Sequence, residues 1–263
     1  MKYFSKIKMS AKVSVIIPCY NYENYIEQCV MSVLLQKIDF DIEILIGDDN
    51  SLDNSFIIAS RLKNYYETDR FKFKLIKHEN NVGEINNTKS LLENSTGEYI
   101  AYLDADDYWT DPYKLKKQIE FMDNNPEYSM CITGHILLEN NSYVPVADFS
   151  SWLCPTGNLD SHNLSKGNYV GSSSSRVFRN YTNLIKDYFY EFPYSDWVLN
   201  FELSFRGKIE YLNFPSYVYR IHNKSLSKKD RDGDLEFQNR LYEKRISILN
   251  DILNEKLYNS ENV

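Results

Sequence analysis

Neither of the glycine-rich phosphate cradles occurs in this chain: there is no G-x-G-x-x-G and no G-x-x-x-x-G-K-[ST]. Any nucleotide it binds is held without them. Basic charge is also short. The chain has 30 Lys and Arg against 37 Asp and Glu, a formal net charge of −7. A general nucleic-acid binder needs a basic footprint, so no nucleic-acid partner is expected. The cysteines Cys19, Cys29, Cys131 and Cys154 form no C-x-x-C pair, and no His-x-Glu or cysteine cluster proposes zinc. They read as reduced thiols of a cytoplasmic protein. No apolar run reaches the length of a membrane span, and no signal peptide is visible.

What is present is an ordinary globular composition of 263 residues, 43% apolar and 25% charged, enough for one large domain or two small ones. The 22 Tyr and 14 Phe supply a large core or sugar-stacking surfaces. The lysines near the start (Lys2, Lys6, Lys8) can touch an anionic membrane, a peripheral contact at its inner face.

The first half alternates apolar runs with helical patterns. Strands are expected at 13–18, 42–47, 71–77 and 99–103, and helices at 24–35, 55–66, 84–94 and 113–122. Asn24 and Glu27 have capping-box spacing. Asp111 followed by Pro112 marks the start of the fourth helix. Strands separated by helices imply βαβ units, hence an α/β fold with a mostly parallel sheet flanked by helices. The second half is less regular. Strands are expected at 131–138, 172–178, 209–212 and 217–221, a loop over 139–170, and an apolar helix opened by Tyr194-Ser195-Asp196-Trp197 and ending near Gly207. A last helix over 235–257 carries an apolar stripe including Ile246 and Leu249. That stripe must be covered by the catalytic domain or by a second copy of the chain, which would make a homo-oligomer.

In a parallel sheet, ligands bind beyond the carboxyl ends of the strands. Here those ends read Cys19-Tyr20-Asn21, Asp48-Asp49, His78-Glu79-Asn80 and Asp104-Ala105-Asp106. Three carboxylates, Asp104, Asp106 and Asp107, follow a buried strand. At ~5 Å and an effective dielectric of ~20, one such pair costs roughly 3 kcal/mol. A cap returns only about 1 kcal/mol. A hard divalent cation, Mn²⁺ or Mg²⁺, suits oxygen donors and shares them with substrate phosphates. Asp48 and Asp49 either cap the next helix or accept the ring N–H of a base such as uracil.

The residues VSVIIPCYNYENYIEQCVMSVLLQ (Val13–Gln36), EILIGDDNSLDNS (Glu43–Ser55), ENNVGEINN (Glu79–Asn87), GEYIAYLDADDYWTDPYKL (Gly97–Leu115), SDWVL (Ser195–Leu199) and YRIHNKSLS (Tyr219–Ser227) resemble, in order, family 2 glycosyltransferases of the GT-A fold. The resemblance implies a GT-A domain over 10–227. Its nucleotide-binding half covers about 10–110 and its acceptor-side half about 111–227, with a C-terminal helical segment over 232–258. It also implies an inverting glycosyltransferase using a nucleotide-sugar, a UDP-sugar favoured, and a divalent metal. The acceptor would be a carbohydrate or lipid-linked carbohydrate.

Carried over by position, Pro18, Tyr20 and Asn21 border the nucleotide. Asp49 contacts the base with Asp48 beside it. Asp104, Ala105 and Asp106 form the stretch that meets ribose and metal. Asp196 stands at the base position, and Arg220 and His222 approach the diphosphate or metal. The chain departs from the pattern at Asn50-Ser51-Leu52, where relatives have Gly-Ser-Thr; Asn tolerates the left-handed turn. It also has Thr88-Lys89 in place of Arg-Asn. Trp109, Trp152 and Trp197 either stack on a sugar or pack in the core, and Ser172–Ser175 either line an acceptor pocket or form a polar loop. The rival functions are a non-catalytic nucleotide-sugar-binding module and a sugar-1-phosphate nucleotidyltransferase.

Overall fold

The computed structural model describes residues 11–139, 142–144, 159–165, 170–181, 195–222, 243–244 and 246–250. Its first half is the expected alternation: β1 (Val13–Cys19), α1 (Ile26–Leu34), β2 (Ile42–Asp48), α2 (Ser55–Tyr66), β3 (Phe71–Lys77), α3 (Glu84–Glu93) and β4 (Tyr99–Tyr102). The second half contributes β5 (Tyr108–Trp109), α4 (Lys114–Asn124), β6 (Tyr128–Glu139), β7 (Ser142–Val144), α5 (Ser161–Leu164), β8 (Val177–Arg179), α6 (Ser195–Ser204) and β9 (Lys208–Ile221). One sheet holds all of these strands, in the order β3-β2-β1-β4-β8-β6-β9-β5, with β7 paired to β6.

β1 pairs in parallel with β2 and β4, and β2 with β3. Beyond β4 the sheet becomes mixed: β8 runs antiparallel to both β4 and β6, while β9 is parallel to β6. Both faces of the parallel part are covered. Val13, Val15 and Ile17 of β1 point into one apolar cluster with α1, α2 and α4, while Ile16 points into the other with α3 and α6. This is why β1 reads as a continuous apolar run rather than an alternating one.

Four expectations are corrected. Asn24 does not cap α1. The helix starts at Ile26 with no side-chain cap, and Glu27 instead pairs with Arg61 at 3.0 Å. The chain leading into α1 is held instead by the neighbouring segment: Ser51, Ser55 and Asp53 accept the main-chain N–H groups of Asn21, Tyr22 and Glu23 at 3.0, 2.8 and 3.0 Å. The two short strands expected at 209–221 are a single strand. β9 passes Pro215 through register shifts opposite Gly134, so proline marks a bulge rather than a break. The segment expected to be all loop holds β7 and α5. In the C-terminal helical segment, most of which lies outside the described residues, 246–250 are helical. There Ile248 is fully buried while Ile246 is 42% exposed, so the covered face is rotated from the stripe read in the sequence. Ile248 and Leu249 pack on the cluster that contains Trp197 and Phe201.

Candidate functional site

The carboxyl ends of β1, β2 and β4 open onto a pocket of about 500 Å³. Its lining includes Pro18, Tyr20, Asn21, Asp49, Asp104, Ala105 and Asp106, so seven sequence-predicted residues from three strand ends meet there. Two of the loops are locked to each other. Asn21 and Asn50 both adopt the left-handed conformation (φ 59° each), and the Asn21 side chain accepts the N–H of Leu52 at 2.7 Å. Asn50 therefore adopts the left-handed turn expected of it.

The paired acids at the end of β2 do different things. Asp49 faces the pocket, and its two oxygens accept the N–H groups of Val82 and Gly83 at 2.6 and 3.0 Å. Asp48 does not line the pocket. Its Oδ2 accepts the N–H of Ser51 at 3.2 Å, and its buried Oδ1 has no hydrogen-bond partner among the described residues. Neither acid caps α2. Just upstream, Gly47 has no room for a Cβ, which would collide with the Asn87 side chain; that amide donates to the Gly47 carbonyl at 2.8 Å.

The acidic loop after β4 is held from the second half. Ser174, in the short 3₁₀ turn Ser173–Ser175, donates to Asp107 at 2.6 Å and accepts the Asp104 N–H at 3.1 Å. The Arg220 N–H donates to Asp107 at 2.9 Å. Burial, then the neighbouring Asp106, pushes the Asp104 carboxyl up to about 8. The same causes, with Asp104 added, hold Asp107 well above the carboxylate range. His222 Nε2 lies 2.9 Å from Asp106 Oδ2, with its ring 5.1 Å from that of Tyr25.

Arg220 is not aimed into the pocket. Its guanidinium donates to the Asp106 carbonyl and to Gln28, both at 2.8 Å, and lies 4.6 Å from the Tyr25 ring centre. It clamps the acidic loop from behind. Asp196 stands half-buried in the first turn of α6, outside the pocket lining, and accepts the Trp197 N–H at 2.6 Å. Trp109 and Trp197 are core residues whose indole N–H groups donate to the carbonyls of Ser174 and Leu164 at 3.1 and 2.8 Å. Trp152 and Cys154 lie outside the described residues, and Cys19, Cys29 and Cys131 are buried free thiols.

Among the described residues, no three His, Cys, Asp or Glu side chains form a ready-made metal cage. The donor set still fits Mn²⁺ or Mg²⁺. Asp104 and Asp106 offer hard oxygen donors on the pocket wall, and their mutual repulsion is relieved by a cation. Such a site is completed by phosphate oxygens and water rather than by protein alone.

Two participants escaped sequence reading. Glu84, first residue of α3, lines the pocket; its place directly after Asn81-Val82-Gly83 was the available signal. Arg176, fully buried, donates to Asn200 at 2.9 Å and to the Asp196 carbonyl at 3.3 Å, and bonds the Ser173 hydroxyl, tying α6 to the serine turn. Its only signal was a charge at the end of a serine run.

Comparison with known proteins agrees with this architecture. S. aureus TarS, in complex with UDP-GlcNAc, superposes with a TM-score of 0.62 at 21% identity, over 81% of this chain and 60% of that one. The mannosyltransferase PcManGT from Pyrobaculum calidifontis, in complex with GDP-Man and Mn²⁺, gives a TM-score of 0.62 at 14% identity, over 85% and 61%. At these identities the likeness is one of fold, the GT-A type expected from the sequence. The uncharacterized glycosyltransferase alr2836 of Nostoc sp. is 41% identical over 109 residues, 41% of this chain and 32% of its own. The chain thus spans about a third of the length of such curated relatives, 34% in another case. No described helix is long and apolar enough to cross a membrane. The sequence model of Glycosyl transferase family 2 matches residues 14–183, most of the chain, and the chain belongs to that family.

Proposed function

We propose that the chain transfers a sugar from a nucleoside-diphosphate sugar, a UDP-sugar favoured, to an acceptor hydroxyl with inversion. Work on cell-surface polysaccharide or glycoconjugate at the cytoplasmic face of the membrane fits this reading. The observation that carries it is the pocket itself: Pro18, Tyr20 and Asp49 at one part of the lining, and Asp104, Ala105 and Asp106 at another. An aromatic ring, a carboxylate that accepts a base N–H and a paired acid for ribose and diphosphate are the parts a nucleotide-sugar needs.

When bound, Mn²⁺ or Mg²⁺ supplies charge stabilisation for the leaving diphosphate. Asp104 and Asp106 would hold it, with His222 orienting Asp106 through their 2.9 Å contact. Arg220, fixed to Gln28 and the Asp106 carbonyl, keeps the acidic loop in place. As the new bond forms, the acceptor hydroxyl becomes acidic, and Asp196 takes its proton as general base. Displacement in line inverts the anomeric carbon.

The test supplies UDP-, GDP- and dTDP-sugars with Mn²⁺ and a panel of carbohydrate and lipid-linked acceptors, and measures free nucleoside diphosphate. Acceptor-dependent release of UDP supports the proposal. Pyrophosphate release would identify a nucleotidyltransferase. Tight UDP-sugar binding with no turnover on any acceptor would identify a binding module.

A further inference from the structure

Among the described residues, the pocket is lined by four carboxylates, Asp49, Glu84, Asp104 and Asp106, and by no lysine, arginine or histidine. Two of the four, Asp104 and Asp106, belong to the proposed metal and ribose stretch, and Asp49, braced by the Val82 and Gly83 N–H groups, is assigned to the base in the reading above. Glu84 has no role in the proposed reaction, yet it is built into the wall. It follows Gly83, whose φ of 84° lets the chain reverse into α3. Its Oε1 accepts the hydroxyls of Thr88 at 3.1 Å and Tyr102 at 3.2 Å, and both of those residues are buried. Thr88 and Tyr102 also bond each other at 3.0 Å. The carboxylate is therefore anchored on a rigid base.

Tyr102 ends β4, and Asp104 follows two residues later, so Glu84 and Asp104 line the same pocket above the same strand end. An anionic wall repels phosphate and matches a neutral part of the ligand that carries hydrogen-bond donors. In a nucleoside diphosphate, two adjacent donors of that kind are the ribose hydroxyls.

We propose that Glu84 is a specificity-determining residue that accepts a hydrogen bond from the ribose diol alongside Asp104, restricting the site to ribonucleotides. This rests on the nucleotide-sugar reading above and narrows it: 2′-deoxyribonucleotide donors such as dTDP-sugars fall outside its range. The ordinary alternative is an acid placed at the start of α3 for the helix dipole. That role changes melting temperature and leaves nucleotide discrimination alone.

The experiment measures Mn²⁺-dependent binding of UDP, 2′-deoxy-UDP and 3′-deoxy-UDP by calorimetry to the full chain and to Glu84→Ala and Glu84→Gln, with melting curves for all three proteins. A hydrogen bond to a charged group corresponds to about ten- to hundredfold in affinity. The wild type should therefore prefer UDP over 2′-deoxy-UDP by that factor, with 3′-deoxy-UDP reporting whether the second hydroxyl is read as well. Glu84→Ala should shrink the preference to about threefold or less, and Glu84→Gln should fall between. A wild type that binds UDP and 2′-deoxy-UDP alike overturns the inference. So does a folded Glu84→Ala that discriminates as the wild type does; in either case the nucleotide-sugar reading stands. If the wild type binds no nucleoside diphosphate with Mn²⁺, that reading fails first and takes this one with it.

Discussion

Residues 13–107 and residues 111–222 hold charge near the pocket by different means. In the first region the acids at the end of β2 are held by main-chain N–H groups: Asp48 by Ser51, Asp49 by Val82 and Gly83. In the second, side chains do the holding. The hydroxyls of Ser172 and Ser174 donate to Asp107, and two fully buried basic side chains, Lys114 and Arg176, grip the serine turn. Main-chain donors come with the fold and survive most substitutions. Side-chain donors must be supplied residue by residue, so the second region should be the more fragile under mutation and the more open to change of specificity.

The largest effect expected in the second region is on chemistry. Asp196→Asn keeps the acceptor for the Trp197 N–H, as asparagine caps nearly as well as aspartate. Folding and UDP affinity should hold while turnover drops by roughly 10²–10⁴-fold. UDP release assayed with a productive acceptor checks this, and a variant that keeps most of its rate would move the base assignment to Glu202.

Next comes a direct test of the contrast. Arg176→Met strips the donor from Asn200, the Asp196 carbonyl and Ser173 at once. At about 1–3 kcal/mol for a buried group left unsatisfied, a loss of about 3 kcal/mol is expected in urea unfolding. Lys12→Met in the first region breaks only part-exposed pairs with Glu98 and Asp123 and should cost under about 1 kcal/mol. Equal losses would erase the distinction between the two regions.

Asp106→Asn probes the junction. It should weaken Mn²⁺-dependent UDP binding by about ten- to hundredfold, on the scale of ligand-shell losses at metal sites. The melting temperature without ligand should not fall, because repulsion from Asp104 and Asp107 is relieved. Calorimetry with and without Mn²⁺ decides it, and unchanged UDP affinity would remove Asp106 from the metal site.

The same contrast accounts for what the sequence let through. β1, β2 and β4 announce themselves because strands covered on both faces need uninterrupted apolar residues, and ligands gather at their carboxyl ends. That placed Pro18, Tyr20, Asn21, Asp49, Asp104, Ala105 and Asp106 on one pocket before any coordinates. Asp48, adjacent in sequence, turned away because successive strand residues alternate faces. What the sequence did not carry for Arg220 is its anchoring: its partners Gln28 and Asp106 lie 192 and 114 residues away, and no local pattern encodes them. Glu84 and Arg176 were invisible on the same ground. A carboxylate at a helix start and an arginine after four serines are both unremarkable until tertiary packing brings Tyr102 and Asn200 to them.

The smallest effect expected separates the two regions by pH. The Lys114 ammonium is fully buried, 4.5 Å from the Trp109 ring centre, donating to Gln118 at 2.6 Å and to the Ser175 carbonyl at 3.4 Å. Burial pushes it down from 10.5 to about 7. In the unfolded chain it stays protonated up to its ordinary value. Between about pH 7 and 10.5 the unfolded state therefore binds more protons than the folded one, and stability from this group rises with pH across that window. Below about pH 7 both states are protonated and its contribution is flat. From about pH 7 to 8.5 the gain approaches about 2 kcal/mol. Lys12, in the first region, has a folded value shifted the other way: burial lowers it, but Asp123 and Glu98 raise it more. Its linkage lies above its ordinary value and is silent in this range. Urea midpoints at the two pH values should thus show a slope in the wild type and in Lys12→Met that is flattened in Lys114→Met. A Lys114→Met protein with the full wild-type slope would show that another group carries the proton, and that the buried Lys114 is no more perturbed than the part-exposed Lys12.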